Sequence, residues 1–383
     1  MIVPCFAVGT SSQWQGPPEE PCRKPADGQG GSWTVALYVN GDNNLERYWG
    51  EVSRLALERI PTSDGLKIVA MVDWVAENGT YVYEISGGIT TEISTHTEEN
   101  FGDGATFSRF LTDVVAPIES DNVAVIGWDH GYAWRYFSDD DTSGDDRITM
   151  PELQAAIEAA GVYMDILAFD ACNMAAIEVA YQVSLSGLVG LMVASEESIP
   201  LDGYPYDLMF TPVAEDPSRT PAQVASDMVA GWGELYGPET WAKTNCLSAT
   251  DVNVIRDNID VFEDWVDAMH ANLDDYSWSY KLDLRAALSA WATCEHVDIV
   301  DLGLQILADE TITDPALIAA TESMVGVVES AVLAYWNAEE VSAFRGLTLY
   351  WGLGGDWLVY EEAYKDVAFA TDTGWWDFLA DYN

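Results

Sequence analysis

Six short runs of apolar and β-branched residues recur in the first half of the chain, WTVALYVN (33–40), GLKIVAMVD (65–73), TYVYEIS (80–86), NVAVIGWD (122–129), MDILAFDA (164–171) and LVGLMVAS (188–195), and a seventh, FRGLTLYW (344–351), lies near its end. Most are apolar at odd and even positions alike. A strand with one face in water alternates; a strand covered by helices on both faces does not. Between the runs lie segments of 3.6-residue periodicity, NLERYWGEVSRLALERI, FSRFLTDVVAPI, TMPELQAAIEAAG and MAAIEVAYQV. The third opens on Thr149 with Glu152 three residues on, the pairing of a capping box. Strand and helix in alternation predict right-handed βαβ units and an α/β fold built on a mostly parallel sheet flanked by helices.

From about 218 to 340 the periodicity is helical throughout, as in PAQVASDMVAGWGELYG and DPALIAATESMVGVVESAVLAYWNA. The chain therefore divides into a leader (1–32) rich in Pro, Gly and Ser, an α/β core (33–217), a helical insertion or C-terminal subdomain (218–340), and a returning strand with an aromatic helical tail (341–383) that is expected to rejoin the sheet. The opening MIVPCFAVG is too short and lacks the basic flank of an intact export signal, and reads as the remnant of one. No apolar run reaches the ~20 residues that span a bilayer. A leader of this composition points to an extracellular or cell-surface protein.

Acidic residues number 64 against 16 basic ones, a formal net charge of −48, yet 16 Trp and 18 Tyr require a large buried core. The charge belongs on a folded surface, which excludes nucleic acid and anionic membrane faces as partners. Five cysteines allow Cys5 with Cys22 and Cys246 with Cys294 to pair by order, leaving Cys172 single; five reduced thiols is an equal reading.

In an open parallel sheet ligands gather at the carboxyl ends of the strands. AVIGWDHG delivers His130 and Gly131 to such an end, and DILAFDAC delivers Cys172 at the step into a helix. If the two strands are neighbours, thiol and imidazole face one crevice, and a helix start would lower the thiol pKa. A lone strand-end cysteine is more often a small buried hydrophobe. The pair, each flanked by Gly or Ala, points instead to a thiolate nucleophile beside a general acid.

WDHG at one strand end, FDACNMA at the next and VASEESIPLDGYPYD after it resemble the clostripain-like cysteine peptidases of the caspase-like clan, and the likeness runs from YVNGDNNLE to the WWDFL tail. The resemblance implies a caspase-like fold, an endopeptidase with His130 as general acid/base and Cys172 as nucleophile, and an oxyanion hole from the Gly131 and Cys172 amides. It implies cleavage of protein or peptide substrates after Arg or Lys, with Asp170 and Asp202 as the acidic groups of the pocket; the chain is expected to act as a monomer. The chemistry needs no cofactor. One departure is Ala133 in HGYAW, where the family often has a second glycine.

The acidic loop SDDDTSGDDRITMPE (138–152) invites a calcium reading through Asp139, Asp141 and Asp145, but Met150 stands where an EF-hand requires its bidentate Glu. Calcium as a stabilising or activating ion is implied by the resemblance; a solvated acidic surface is the plainer account. The resemblance also implies self-processing, for which Arg147, expected in a polar loop ahead of the Thr149 cap, is the candidate bond. Two other functions are weighed: a non-catalytic binding module of the same fold, and a zinc hydrolase using Asp129, His130, Asp170 and Cys172.

Overall fold

The computed structural model describes residues 31–75, 79–239, 242–273, 295–352 and 354–383. The leader, save its last two residues, lies outside them, as do Cys5, Cys22 and Cys294. Thirteen strands are described: β1 (Trp33–Gly41), β2 (Leu66–Trp74), β3 (Gly79–Ser86), β4 (Ile89–Thr97), β5 (Asn122–Trp128), β6 (Phe137–Asp140), β7 (Asp146–Ile148), β8 (Met164–Asp170), β9 (Val189–Ala194), β10 (Cys246–Asp251), β11 (His296–Asp298), β12 (Val332–Asn337) and β13 (Thr348–Tyr350). Nine of them form one sheet in the order β12-β10-β9-β8-β5-β1-β2-β3-β4. The middle five are parallel, and β3, β4, β10 and β12 add antiparallel wings.

Strand β1 explains the unbroken apolar runs. Ala36 and Tyr38 point into one core with Phe107, Phe137 and Phe169, while Val35, Leu37 and Val39 point into a second core with Trp49, Trp128 and Trp232 on the other face. Both faces are buried, so no polar alternation survives. The crossover from β7 to β8 is the helix Met150–Ala160, where the Glu152 carboxylate accepts from the Thr149 amide at 2.9 Å and Gly161 closes the helix in the left-handed region.

Two expectations about the second half change. The segment 218–340 is not wholly helical: it supplies β10 and β12, the antiparallel edge of the sheet. Strand β12 runs straight on from the helix Pro315–Ala331, so its residues VLAYWN continue a helical pattern in the sequence. The run 344–351 does not rejoin the main sheet. Its residues Thr348–Tyr350 pair with β11 in a separate two-stranded ladder, tied to the core by a bridge from Thr348 to Ala176. The aromatic tail closes over this ladder, the Trp375 indole donating to the Tyr350 carbonyl at 2.8 Å and stacking on Trp265.

Candidate active site

The chain runs from β1 outward to β2 and later returns to place β5 on the other side of β1. This reversal opens a crevice at the carboxyl ends of β1 and β5, where ligands of open α/β sheets sit. Strands β5 and β8 are parallel neighbours with Trp128 opposite Asp170, and the Asp129 amide donates to the Asp170 carbonyl at 3.3 Å. His130 and Cys172 follow these strand ends and line one cleft of about 70 Å³ with Leu45, Tyr48, Asp170 and Gly203.

The loop after β5 is pinned tightly. Ser138 donates its amide to the His130 carbonyl at 3.1 Å, and Tyr132 donates to Tyr136 at 3.0 Å, so the bridge between Gly131 and Phe137 leaves the Gly131 amide outside the ladder. A side chain at residue 131 would meet the Cys172 carbonyl at 2.9 Å and Met174 Sδ at 2.8 Å. Only glycine lets the two loops approach this closely. Ala133, two residues on, is fully buried with φ of +48°. Glycine at that position is thus explained by backbone conformation, and alanine here accepts a left-handed residue.

His130 Nε2 lies 2.8 Å from Asn44 Oδ1. In the tautomer this bond requires, Nε2 carries the proton and Nδ1 is the basic nitrogen. Burial holds the imidazole below its ordinary pKa, against the raising influence of Asp139 and Asp141. Asn44 was not among the expected site residues, although it stands in the quoted YVNGDNNLE; an uncharged amide after a strand carries no signal of chemistry. Its neighbour Asn43 donates to Asp129 Oδ1 at 2.7 Å and to the Asp139 carbonyl at 2.9 Å, tying the loop after β1 to the loop after β5 and to β6 itself.

Cys172 is not at a helix start. It lies in a turn, its helix begins only at Ile177, and Asn173 between them has φ of +62°. The sulfur accepts from the Ile199 amide at 3.3 Å, and burial pushes the thiol above its ordinary pKa, with Asp170 and Glu197 adding to the rise. The expected helix-start activation is absent, so thiol and imidazole rest as a neutral pair. Cys246, the other described cysteine, is a free thiol beneath Ser195.

Asp170 lies under the cleft with 5% of its surface exposed, its Oδ2 accepting from the Tyr204 amide at 3.0 Å and the Tyr206 hydroxyl at 2.8 Å. Burial raises its pKa to about 6 against these bonds. Asp202 is exposed between Leu201 and Gly203 of the lining and is not itself part of it.

The acidic loop is a hairpin of β6 and β7. Arg147 lies in β7, paired with Asp139 at 2.7 Å and stacked over Tyr136, and Ile148 after it is fully buried; the exposed tip is at 141–145 instead. Asp139 is thereby held by Arg147, while Asp141 and Asp145 are exposed. These three do not converge, nor do Asp129, His130, Asp170 and Cys172. Among the described residues, the group of acidic side chains whose oxygens do converge is Asp42, Asp73, Glu98 and Asp140.

No helix among the described residues is long and apolar enough to cross a membrane. A secreted C11 cysteine protease from Bacteroides thetaiotaomicron, solved with an irreversible peptide inhibitor, is similar over 90% of this chain and 99% of its own at 18% identity and a TM-score of 0.69. An inactive zymogen C11 protease from Parabacteroides distasonis is similar over 89% and 97% at 17% identity and a TM-score of 0.67. No curated protein matches the chain. The Clostripain family profile, that of the C11 peptidases, matches residues 37–379, nearly the whole described chain, and the protein belongs to this family of cysteine proteases.

Proposed function

We propose that the protein is an exported endopeptidase that cuts after Arg or Lys with Cys172 as nucleophile and His130 as general acid/base. The observation that carries this reading is the shared cleft of His130 and Cys172 on adjacent parallel strands, with Asp170 at its floor. The resting pair is neutral, so the thiol proton passes to the basic nitrogen of His130 as the sulfur attacks the substrate carbonyl. The oxyanion is held by the Gly131 and Cys172 amides, His130 returns the proton to the leaving amine, and water hydrolyses the thioester.

A basic side chain entering past Leu201 and Gly203 meets Asp170 below and Asp202 at the rim. The Asp170 carboxylate has one oxygen committed to two tyrosine-derived donors, which fixes it for a charge-assisted bond. Its raised pKa falls when a cation arrives, because the opposite charge favours the ionised form. A solved structure similar to this chain is described as a secreted protease in complex with a peptide inhibitor, which supports export and action on peptide or protein substrates, and the same reading takes the chain as a monomer.

Self-processing after Arg147 belongs to the same reading, with one physical cost: the bond lies in β7 ahead of buried Ile148, so the hairpin must open first. One C11 relative is described as an inactive zymogen, in keeping with a precursor form.

The test is cleavage of a mixed peptide library by wild type, Asp170→Asn and Asp202→Asn. Both substitutions should lower kcat/KM on Arg and Lys substrates far more than on uncharged ones. Equal losses on both would remove the two carboxylates from the pocket.

A further inference from the structure

The turn that carries Cys172 hangs between two supports. On one side it is held by the segment that follows β9: the Asn173 amide donates to the Glu197 carbonyl at 3.1 Å, the Asn173 side-chain amide to the Glu196 carbonyl at 3.0 Å, and the Ala175 amide to the Ser195 carbonyl at 3.0 Å. On the other side, Thr348 of β13 donates its amide to the Ala175 carbonyl at 2.8 Å. Asn173 keeps φ of +62° within this turn, a conformation that a residue other than glycine holds only where its surroundings enforce it. A contact that fixes residues 195–197 against residues 345–348 therefore fixes the backbone of Cys172.

Two buried carboxyl groups make that contact, Glu196 after β9 and Asp298 at the end of β11. Consecutive amides of the loop before β13 bind them side by side: Arg345 donates to Asp298 Oδ2 at 2.5 Å and Gly346 to Glu196 Oε1 at 2.8 Å. The Asp301 amide donates to Asp298 Oδ1 at 2.6 Å, so both Asp298 oxygens accept from the backbone. Glu196 Oε2 is buried and accepts from no donor. A dry, unpaired carboxylate oxygen costs its desolvation. A proton on that oxygen removes the cost, because the hydroxyl then donates to the Asp298 carboxylate in a charge-assisted bond. The backbone donors decide which member carries it: Asp298, with two amides on it, is the charged group and Glu196 the acid. Burial and the charge of Asp298 push Glu196 well above the usual carboxylate range, in agreement with this assignment.

The other groups facing the pair are Glu197 on the same segment, Asp301 on the helix after β11, and the buried Cys246 thiol on β10. Arg345 contributes its backbone amide, while its guanidinium donates to the Ser342 and Phe344 carbonyls.

We propose that Glu196 and Asp298 share one proton and act as a positioning pair for the Cys172 turn, clamping the segment after β9 to the loop before β13. The consequence for catalysis rests on the proposed role of Cys172. Glu196 binds its proton more tightly in the folded chain than in the unfolded one, so the clamp is intact at acidic pH and is lost as pH rises through the raised Glu196 range. Two bare carboxylates in a dry site repel each other. The segment 195–197 is then pushed away, and the acceptors of Asn173 and Ala175 go with it.

Two variants separate a proton clamp from ordinary packing. Glu196→Gln keeps the acceptor for Gly346 and sets a permanent N–H donor where the proton was, whereas Asp298→Asn turns an acceptor into an NH2 group facing a backbone N–H. On an arginine substrate, whose side chain does not titrate, wild-type kcat should fall at alkaline pH with KM unchanged, and Glu196→Gln should stay flat. Glu196→Ala and Asp298→Asn should each lower kcat about tenfold or more, and Glu196→Gln should restore most of what Glu196→Ala loses. In the full-length Cys172→Ala protein, amide hydrogen exchange across residues 172–176 should speed between about pH 7 and about pH 9.5 beyond its intrinsic dependence on pH, and the excess should vanish when Glu196→Gln is added. Exchange is read without turnover, so its outcome decides the clamp whether or not the proposed peptidase activity holds. An excess equal in the two proteins, an alkaline fall equally present in Glu196→Gln, or a Glu196→Gln variant as impaired as Glu196→Ala would overturn the proposal.

Discussion

His130 is oriented by the side-chain amide of Asn44, 2.8 Å from its Nε2, in the role that a carboxylate plays in a Ser-His-Asp triad. An amide oxygen fixes the tautomer and ring angle without adding charge, which leaves the buried imidazole free to fall below its ordinary pKa. Asn44→Ala should lower kcat on the order of 100-fold with little change in KM, because a misplacement of about 1 Å in a reacting group is that costly. Asn44→Asp should restore part of the rate and move the acidic limb of the pH profile upward, since a carboxylate stabilises the imidazolium. A kcat unchanged in Asn44→Ala would remove Asn44 from the positioning role.

The thiol pKa gives a second test. With burial raising Cys172 and lowering His130, alkylation by iodoacetamide should climb with pH through a midpoint above the ordinary thiol range. A plateau of fast alkylation already at pH 6 would show a resting thiolate–imidazolium pair instead.

Stability should fall as pH rises across neutrality. Glu178 is fully buried, accepts from the Tyr350 amide and the Tyr364 hydroxyl at 2.8 Å each, and is raised by burial to about 7. A carboxyl raised in the folded state binds its proton more tightly there than in the unfolded chain. Its contribution is therefore full below about pH 4 and is lost as pH rises through 7. The loss is on the order of 3 kcal/mol at most for this group. Glu178→Gln should match wild type in thermal midpoint near pH 4, exceed it at pH 8 and flatten the slope between. A wild-type midpoint that rises from pH 5 to 8 would contradict the sign.

Ala133→Gly weighs two opposed effects. Release of a left-handed alanine recovers about 1–2 kcal/mol, while loss of a buried methyl and the freer unfolded chain cost together about as much. The thermal midpoint should move by no more than a few degrees, with kcat/KM within about twofold of wild type. A large loss of activity would mean that Ala133 contacts substrate.

The parallel core was legible because β1, β5 and β8 are apolar on both faces, whereas the adjacency of β5 and β8 that sets His130 beside Cys172 was only a condition in the sequence and is supplied by the sheet. The antiparallel edge was not, because VLAYWN continues the pattern of the helix before it. Asp170 was legible as a strand-end carboxylate. The Asp42–Asp73–Glu98–Asp140 cluster was not: its members come from four segments spread over 99 positions of sequence, and each looks like an ordinary surface acid until the sheet brings them together. The run at 138–152, dense in acids, drew attention precisely where the chain is solvated, while the single Asp140 within it turns inward.

The central claim, that Cys172 is the nucleophile served by His130, is tested most directly by peptide mapping of the protein after reaction with an irreversible peptide inhibitor carrying a terminal lysine or arginine group. One equivalent should abolish activity and appear on Cys172 alone, with Cys246 unmodified, and labelling should slow on the order of 100-fold in His130→Ala. An adduct on another residue, or full peptidase activity in protein whose Cys172 is wholly modified, would contradict the account.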